Sequence, residues 1–543
     1  MVNTGRVEGP RSPSAGVQQR ALLRGFGRYR PQAMAAAYTL LLLSACAVGP
    51  DFKVPSAPRD AGYTPEAHPA AAIASDVANG DSQRFEPGRD IPGQWWQLFH
   101  SEDLDDLIVQ ALEANPSLQA AQASLWQAKE NLYAAKGKLL PSLDANSSAT
   151  REQFSPAEFG GAGAPFIFNL FQATVNVSFA PDVWGGQRRT IEGDAAAAEY
   201  QRFELEATYL TLTANVVTAV VAEASLRGQI AATRDIIKAE SDQLNVVQQQ
   251  FNVGAATRTD VLTQQSEVAT TQATLPPLEK QLEQQHHVLA ALTGHFPNEA
   301  QREHMMLTSL RLPTGLPLSL PSQLVEQRPD VRAAEAQLHQ ASAQIGVAIA
   351  ARLPQFNLTG DYGTASPTVA AMFSPSTTIW TIAASGTQPL FHGFTLLHQE
   401  RAAKAAYAVA EAQYRNAVLG AFQNVADALR ALQLDAATLR AQAVALRASS
   451  ATLDLARGQY RLGAITYVVL LNSQRSYAQA RLALVQAQAV RFADTAALFQ
   501  ALGGGWWNRI DVETNPLSPE KPGAATTTDL VAGARGIKTE PKQ

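Results

Sequence analysis

The chain has 543 residues, a formal net charge of -5, 46% hydrophobic residues and one cysteine. This excludes a basic footprint for DNA or RNA, which needs clustered Lys and Arg, and with one cysteine it excludes a disulfide framework or a multi-cysteine metal site. No stretch of about 18 residues stays apolar and uncharged, so no transmembrane helix is indicated and any membrane crossing falls to strands.

Arg20, Arg24, Arg28 and Arg30 precede an apolar run from Ala33 to Leu43, and Ser44-Ala45-Cys46 follows. A basic start, an apolar middle and small residues before a cleavage point make an export signal. Leu43-Ser44-Ala45-Cys46 also resembles the L-x-x-C box of bacterial lipoproteins, whose cysteine takes lipid and becomes the mature N-terminus. Residues 1–45 are expected to be a signal peptide and Cys46 the lipid attachment site; a plain secretory signal or a short core helix would leave the cysteine incidental. Ala47 is not the Asp that retains lipoproteins at the inner membrane, so outer-membrane delivery is allowed. Residues 46–94, polar and Pro-rich, predict an extended linker from the lipid to the first helix.

A first copy of the fold is expected over 95–300, with strands at about 142–152 and 170–180 and a long helical hairpin over 189–294. Phe171, Ala173, Val175, Val177 and Phe179 alternate with Gln172, Thr174, Asn176 and Ser178, the period of a strand with one apolar and one wet face. Leu143 to Thr150 alternates too, with Asp144 and Asn146 on the polar side. A helix from Arg189 to Phe251 would be roughly 95 Å long. Gly254 suits a left-handed helix end, a return helix resumes after Thr257, and Pro276-Pro277 is expected to kink or interrupt it. His286 and His287 diverge by about 100° around a helix, make a poor chelate and read as solvated. Met305 and Met306, outside strands and rods, read as gap-fillers rather than a soft-metal path.

After a connecting segment, 301–320, the second copy covers 321–507, with strands at about 355–364 and 378–388 and a hairpin over 394–503. Phe356 to Tyr362 alternates with Asn357, Thr359 and Asp361 on the polar side; Trp380, Ile382, Ala384 and Gly386 alternate with Thr381, Ala383, Ser385 and Thr387. Val418, Val425, Leu432, Leu439, Leu446, Leu453 and Tyr460 recur every seventh residue, with Phe422, Leu429, Ala436 and Ala443 at the companion position, a coiled-coil seam. Residues 508–543 are rich in Pro, Gly, Thr and charge and predict a disordered tail.

The copies align directly. Phe251-Asn-Val-Gly254 and Tyr460-Arg-Leu-Gly463 lie 209 positions apart, as do Leu262 and Leu471, and Gly294 and Gly503. The same shift carries the second seam onto Tyr209, Val216, Glu223, Ile230, Ile237, Leu244 and Phe251, unbroken except at Glu223. Each copy thus supplies two strands of about ten residues, the length that crosses a bilayer when tilted. Phe171, Val175, Val177, Phe179, Trp380 and Ile382 are the candidate lipid-facing residues. Four strands cannot close a barrel, and open edges in lipid leave backbone groups unpaired, so oligomerisation is required; three chains would give an even, twelve-stranded barrel with a wet lumen. A soluble sandwich edge would carry the same alternation.

Several runs resemble the outer-membrane factor family of the TolC and OprM type, and most closely its NodT-like efflux lipoproteins. They are Cys46-Ala-Val-Gly-Pro-Asp-Phe-Lys-Val-Pro55, Trp95-Trp96-Gln-Leu-Phe99, Ala111-Leu-Glu-Ala-Asn-Pro-Ser-Leu118, Arg328-Pro-Asp-Val-Arg-Ala-Ala-Glu335, Gln344-Ile-Gly-Val347, Tyr460-Arg-Leu-Gly463 and Ala501-Leu-Gly-Gly-Gly-Trp506. The resemblance spans Cys46 to Trp506 in order. It implies a mainly α fold with a small β part: a homotrimer with a twelve-stranded outer-membrane β-barrel and a periplasmic α-barrel of coiled-coil hairpins. It implies as partners a periplasmic adaptor, meeting the hairpin tips, and an inner-membrane RND-type transporter. By the same resemblance Leu462 and Thr466 occupy the periplasmic gate; many relatives carry an acidic residue where Thr466 stands, so a cation-selecting carboxylate ring is not carried over. Thr466 equally suits a helix N-cap. Val253, Gly254, Ala255, Thr257, Leu462, Gly463 and Ala464 are the candidate adaptor contacts.

No G-x-x-x-x-G-K-[ST], H-E-x-x-H or G-x-S-x-G occurs, so no enzyme, cofactor or metal site is expected and energy must come from partners. The sequence reads as the outer-membrane channel subunit of a tripartite system that passively conducts small molecules. A duct for type I protein secretion, or a non-conducting coiled-coil scaffold, would share much of the pattern.

Overall fold

A computed structural model describes residues 47–57, 62–64, 71–299 and 305–509. The expected signal peptide, the lipid attachment site Cys46 and the tail from 510 onward lie outside the described residues. In chain order the elements are β1 (Arg84–Pro87), α1 (Glu102–Ala114), α2 (Pro116–Gly137), β2 (Ser142–Phe154), β3 (Phe166–Phe179), α3 (Gly186–Asn252) and α4 (Arg258–Leu292). There follow β4 (Gly315–Leu318), α5 (Pro321–Gln327), α6 (Pro329–Ala350), β5 (Gln355–Ser366), β6 (Thr378–Thr387), α7 (Thr395–Arg461) and α8 (Tyr467–Ala501). The series helix, helix, strand, strand, long helix, return helix runs twice. Both long helices have 67 residues and both return helices 35, so the two hairpins match residue for residue.

The two copies also begin and end alike. Asn115 and Arg328 precede Pro116 and Pro329 and take extended backbone, as a residue before proline must. Their freed side chains reach the far end of the copy: Asn115 Nδ2 donates to the Leu292 carbonyl at 2.9 Å, and Arg328 Nη1 to the Ala501 carbonyl at 3.0 Å. Gly294 and Gly503 close the return helices at φ +75° and +94°; a Cβ there would come within 2.5 Å of the Ala114 carbonyl oxygen and 2.4 Å of the Gln327 carbonyl oxygen. Only glycine satisfies both the backbone and the space.

The chain divides into two compact units. In the unit formed by 47–52, 133–193 and 341–406, the four strands make one antiparallel sheet in the order β2-β3-β5-β6. Its strands exceed the sequence expectation: β3 starts at Phe166, ahead of the expected 170, because Glu152 to Phe154 pair with Phe168 to Phe166 and the Phe154 ring lies tilted against that of Phe166 at 5.3 Å. The first residues after Cys46 are pinned here. Arg189, nearly buried, binds Asp51 at 2.8 Å and the Val48 carbonyl at 3.1 Å. Gly49 at φ +99° lies so close to Gly346 that a Cβ would sit 2.5 Å from its Cα. Two separate sequence motifs therefore exist for one close approach.

In the unit formed by 53–132, 194–340 and 407–509 of the described residues, the linker is docked rather than merely extended. β1 pairs in parallel with β4, and the buried Arg491 guanidinium donates to the carbonyls of Asn79 and Asp81 at 2.9 and 3.0 Å. The Trp95-Trp96-Gln-Leu-Phe99 motif is core: Trp95 stacks on Phe499 at 5.2 Å, and Phe99 meets Phe492 at 6.1 Å. The start of the expected tail is ordered, with Arg509 bound to Glu206 at 2.7 Å and set over the Tyr209 ring. The seam positions Val216, Ile230, Val425, Leu432, Leu439 and Leu453 are buried. One 18-residue window of α3 is apolar enough to cross a bilayer by composition, but more than half of it is buried among neighbouring residues, which makes it core.

Three further expectations change. α4 is not interrupted at Pro276 and Pro277, which rules out the break but not the kink among the two expected effects. Both prolines and the residues whose carbonyls they leave unpaired, Gln272 and Ala273, are exposed, so water takes those acceptors. His286 is not solvated: it is 8% exposed, and its Nε2 lies 3.3 Å from buried Glu223, which Arg227 also binds at 2.8 Å. This trio explains the break in the first seam, while His287 stays exposed. Met305 fills core as expected, whereas Met306 is half exposed.

Candidate functional site

The sheet register decides which side chains share a face. It aligns Ala145, Val175, Tyr362 and Trp380 across the four strands, and Leu143, Val177, Gly360 and Ile382 in the next row. Phe179 continues the face with Leu358 and Ala384, while Phe171 is opposed by Ala149 and Ser366. All six candidate lipid-facing residues therefore lie on one face, with Trp380 and Ile382 69% and 81% exposed. An apolar surface this continuous needs a nonaqueous partner.

The opposite face is polar and cross-linked. Asp144, Asn176, Asp361 and Thr381 form one row. Asn176 accepts from Asn146 Nδ2 at 2.7 Å and donates its own Nδ2 to Asp361, and Ser178 donates to Asn357 at 3.4 Å. Asn146, Asn176 and Asp361 thus satisfy one another across three strands. Among the described residues the edges of the sheet, β2 and β6, each have a neighbour on one side only.

The hairpin tips show why their glycines recur. Gly254 at φ +77° and Gly463 at φ +71° each follow the last helical turn. Ala255 N–H donates to the Gln250 carbonyl at 2.7 Å and Ala464 N–H to the Gln459 carbonyl at 2.9 Å. With the Gly254-to-Phe251 and Gly463-to-Tyr460 bonds at 3.0 and 2.9 Å, each tip is a complete Schellman cap. Entry to the return helices differs. Thr257 accepts from Asp260 N–H at 3.2 Å while Asp260 accepts from Thr257 N–H at 2.9 Å, a capping box. Thr466 holds the same N-cap position, but its side chain makes no capping bond, and Val469 replaces the acid.

The tips pack side by side. Val247, Leu453, Ala456, Tyr467, Leu470 and Leu471 form a buried cluster against which Ala256, Val261, Tyr460 and Ile465 pack. Sequence reasoning missed the polar fastening around it. Tyr467 O–H donates to Gln264, Tyr460 O–H donates to Gln250 at 3.0 Å, and Arg475 grips Glu267 with bonds of 2.8 and 2.5 Å. Burial raises the hydroxyl pKa of both Tyr460 and Tyr467, so both stay protonated donors. The aromatic residue three before each tip glycine was the available signal. The remaining candidates point outward: Val253 and Leu462 are 80% and 85% exposed, and Gly254, Ala255, Thr257, Gly463, Ala464 and Thr466 are exposed beside them. Among the described residues no group of three or more His, Cys, Asp or Glu could hold a metal ion.

Comparison with known proteins agrees with this geometry. The outer membrane efflux protein family matches residues 107–295 and 320–504, one segment for each copy. The pyoverdine export outer membrane protein OpmQ of Pseudomonas putida is 30% identical over 421 residues, covering 77% of this chain and 89% of its own. The probable efflux pump outer membrane protein TtgC of the same species is 26% identical over 490 residues, covering 90% and 99%. Among solved structures, the outer-membrane channel OprN superposes with a TM-score of 0.76 at 25% identity, covering 85% of this chain and all of OprN. The greasy and wet faces of one sheet, the paired hairpins and these likenesses converge: the chain belongs to the outer membrane efflux protein family and is an outer-membrane efflux channel.

Proposed function

We propose that three copies of the chain join their sheets edge to edge into a twelve-stranded barrel, that their hairpins form the wall of a periplasmic tunnel, and that Cys46 carries a lipid anchor. The exposed edges of β2 and β6 carry this reading. Each edge leaves a row of N–H and C=O groups without a strand partner, and in hydrocarbon every such group costs several kcal/mol, so a membrane sheet must close. Closure between chains puts Phe171, Val175, Val177, Phe179, Trp380 and Ile382 toward lipid and Asp144, Asn176 and Asp361 toward a wet lumen.

The duct is passive: no residue is assigned a catalytic role, and the driving force comes from an inner-membrane RND-type transporter through a periplasmic adaptor. The adaptor docks on Val253, Gly254, Ala255, Thr257, Leu462, Gly463 and Ala464, whose exposure and small size admit another helical tip. Leu462 and Thr466 line the constriction. Without a carboxylate at 466 this ring of leucine and threonine carries no charge with which to select cations, and Leu462 supplies its apolar barrier. The names of the relatives, pyoverdine export and efflux pump, favour small molecules over polypeptides as cargo.

Fluorescent labels placed singly at 175, 176 and 382 in the assembled protein test the reading. A lipid-borne quencher should darken 175 and 382, and a water-borne quencher 176; equal quenching of all three from water would remove the barrel.

A further inference from the structure

We propose that Glu240 is a proton-binding site that sets how tightly the two hairpins pack above their tips, acid holding them together and alkali loosening them. The effect on conduction rests on the tunnel reading above; the effect on packing does not.

Glu240 on α3 is 3% exposed and lines a cavity of about 230 Å³ shared with α7 and α8. Its Oε2 is buried without a hydrogen-bond partner, and so is Oε1 of Gln474, a 5% exposed α8 residue lining the same cavity. Both atoms are acceptors, so the cavity holds two buried acceptors that no donor reaches. A proton on Glu240 cancels its charge and supplies one.

The surrounding charges are already spent. On α3 itself, Asp235 is held by Arg481 of α8 at 2.5 Å; on α7, Asp454 lies 3.7 Å from Arg457; on α4, Glu267 is held by Arg475 of α8 at 2.5 Å. Tyr467 and Tyr477 on α8 bring hydroxyls to the same region, and burial raises that of Tyr467, which keeps it neutral. α4 also fixes the Glu240 backbone, since Gln264 Nε2 donates to its carbonyl at 2.9 Å. Burial, with help from the Glu267 charge and against a Thr271 hydrogen bond and Arg475, pushes the Glu240 carboxyl up to about 7. Ionisation therefore sets a second negative charge beside Glu267, with Arg475 as the shared cation. A buried, unpaired charge is relieved by water entering the seam, which separates α8 from α3 and α4.

The test uses the assembled protein with spin labels at Gln248 on α3 and Asn472 on α8, both exposed. Between about pH 6 and pH 8.5 the label separation should shift to longer distances, with a midpoint near neutrality. Glu240→Gln should hold the short distance throughout. Glu267→Gln, which removes a charge that favours the protonated form, should move the midpoint to lower pH, and it serves if the first variant fails to assemble. An unchanged wild-type distance, or a Glu240→Gln protein that still responds, would overturn the proposal. Bilayer conductance should rise over the same range; a distance change with flat conductance supports the proton site and counts against the tunnel reading instead.

Discussion

The hairpin of α3 and α4 and the hairpin of α7 and α8 share their lengths, their Schellman caps and their closing glycines, yet their interiors differ. The second is apolar along its seam, with Leu432 fully buried. The first places Glu223 at the matching position and satisfies it with Arg227 and His286. At the tips the first has the Thr257 and Asp260 capping box, and the second has Thr466 with Val469 in place of the acid. The backbone turns agree where a left-handed conformation calls for glycine, while the side chains differ at the seam, where Arg227 and His286 satisfy Glu223, and at the tips, where only Thr257 makes a cap.

That contrast can be broken most severely by writing the first seam into the second. Leu432→Glu buries a carboxylate where the positions answering Arg227 and His286 are Ala436 and Thr495, so unfolding in detergent should show a loss of about 3–5 kcal/mol. Adding Ala436→Arg should recover part of it. Next come the glycines. Gly503→Ala meets both a left-handed backbone and the Gln327 carbonyl and should cost about 3 kcal/mol, whereas Gly254→Ala, with open space around it, should cost about 1 kcal/mol. Equal losses would mean that backbone conformation alone matters.

A pH effect follows. Glu240 is raised by burial, and Asp435 by burial and by neighbouring Asp494. Below the ordinary carboxylate range both folded and unfolded chains hold these protons. Between that range and about 7 the unfolded chain has released protons that the folded chain keeps, so stability falls as pH rises, and above about 7 the loss is complete. The thermal midpoint should therefore be higher at pH 5 than at pH 8, and Glu240→Gln with Asp435→Asn should flatten the profile. The smallest effect is at the tips: Thr257→Ala should cost about 1 kcal/mol and Thr466→Ala close to nothing, because only the former loses a capping bond.

The sequence carried what is periodic. Seam residues such as Val425, Leu432 and Leu439, and the alternation from Phe171 to Phe179, were legible because burial on one side repeats every seven or every two residues. β1 and β4 were not, since four-residue strands paired across more than 200 positions have no period to read. The burial of His286 depends on a helix 63 positions away, and the continuity of α4 depends on water reaching its proline side. The tip fastening by Tyr467, Gln264, Arg475 and Glu267 likewise joins two copies that local pattern treats separately.

The central claim is that the sheet is one third of a closed barrel, and cross-linking its edges tests this most directly. Within one chain β2 and β6 are three strand spacings apart, roughly 14 Å, beyond the reach of a disulfide. Cysteine pairs scanned over 143–149 and 380–386 should, at the matching register, give a covalent trimer and nothing larger on oxidation in native membranes. Monomer alone at every pairing would contradict the account.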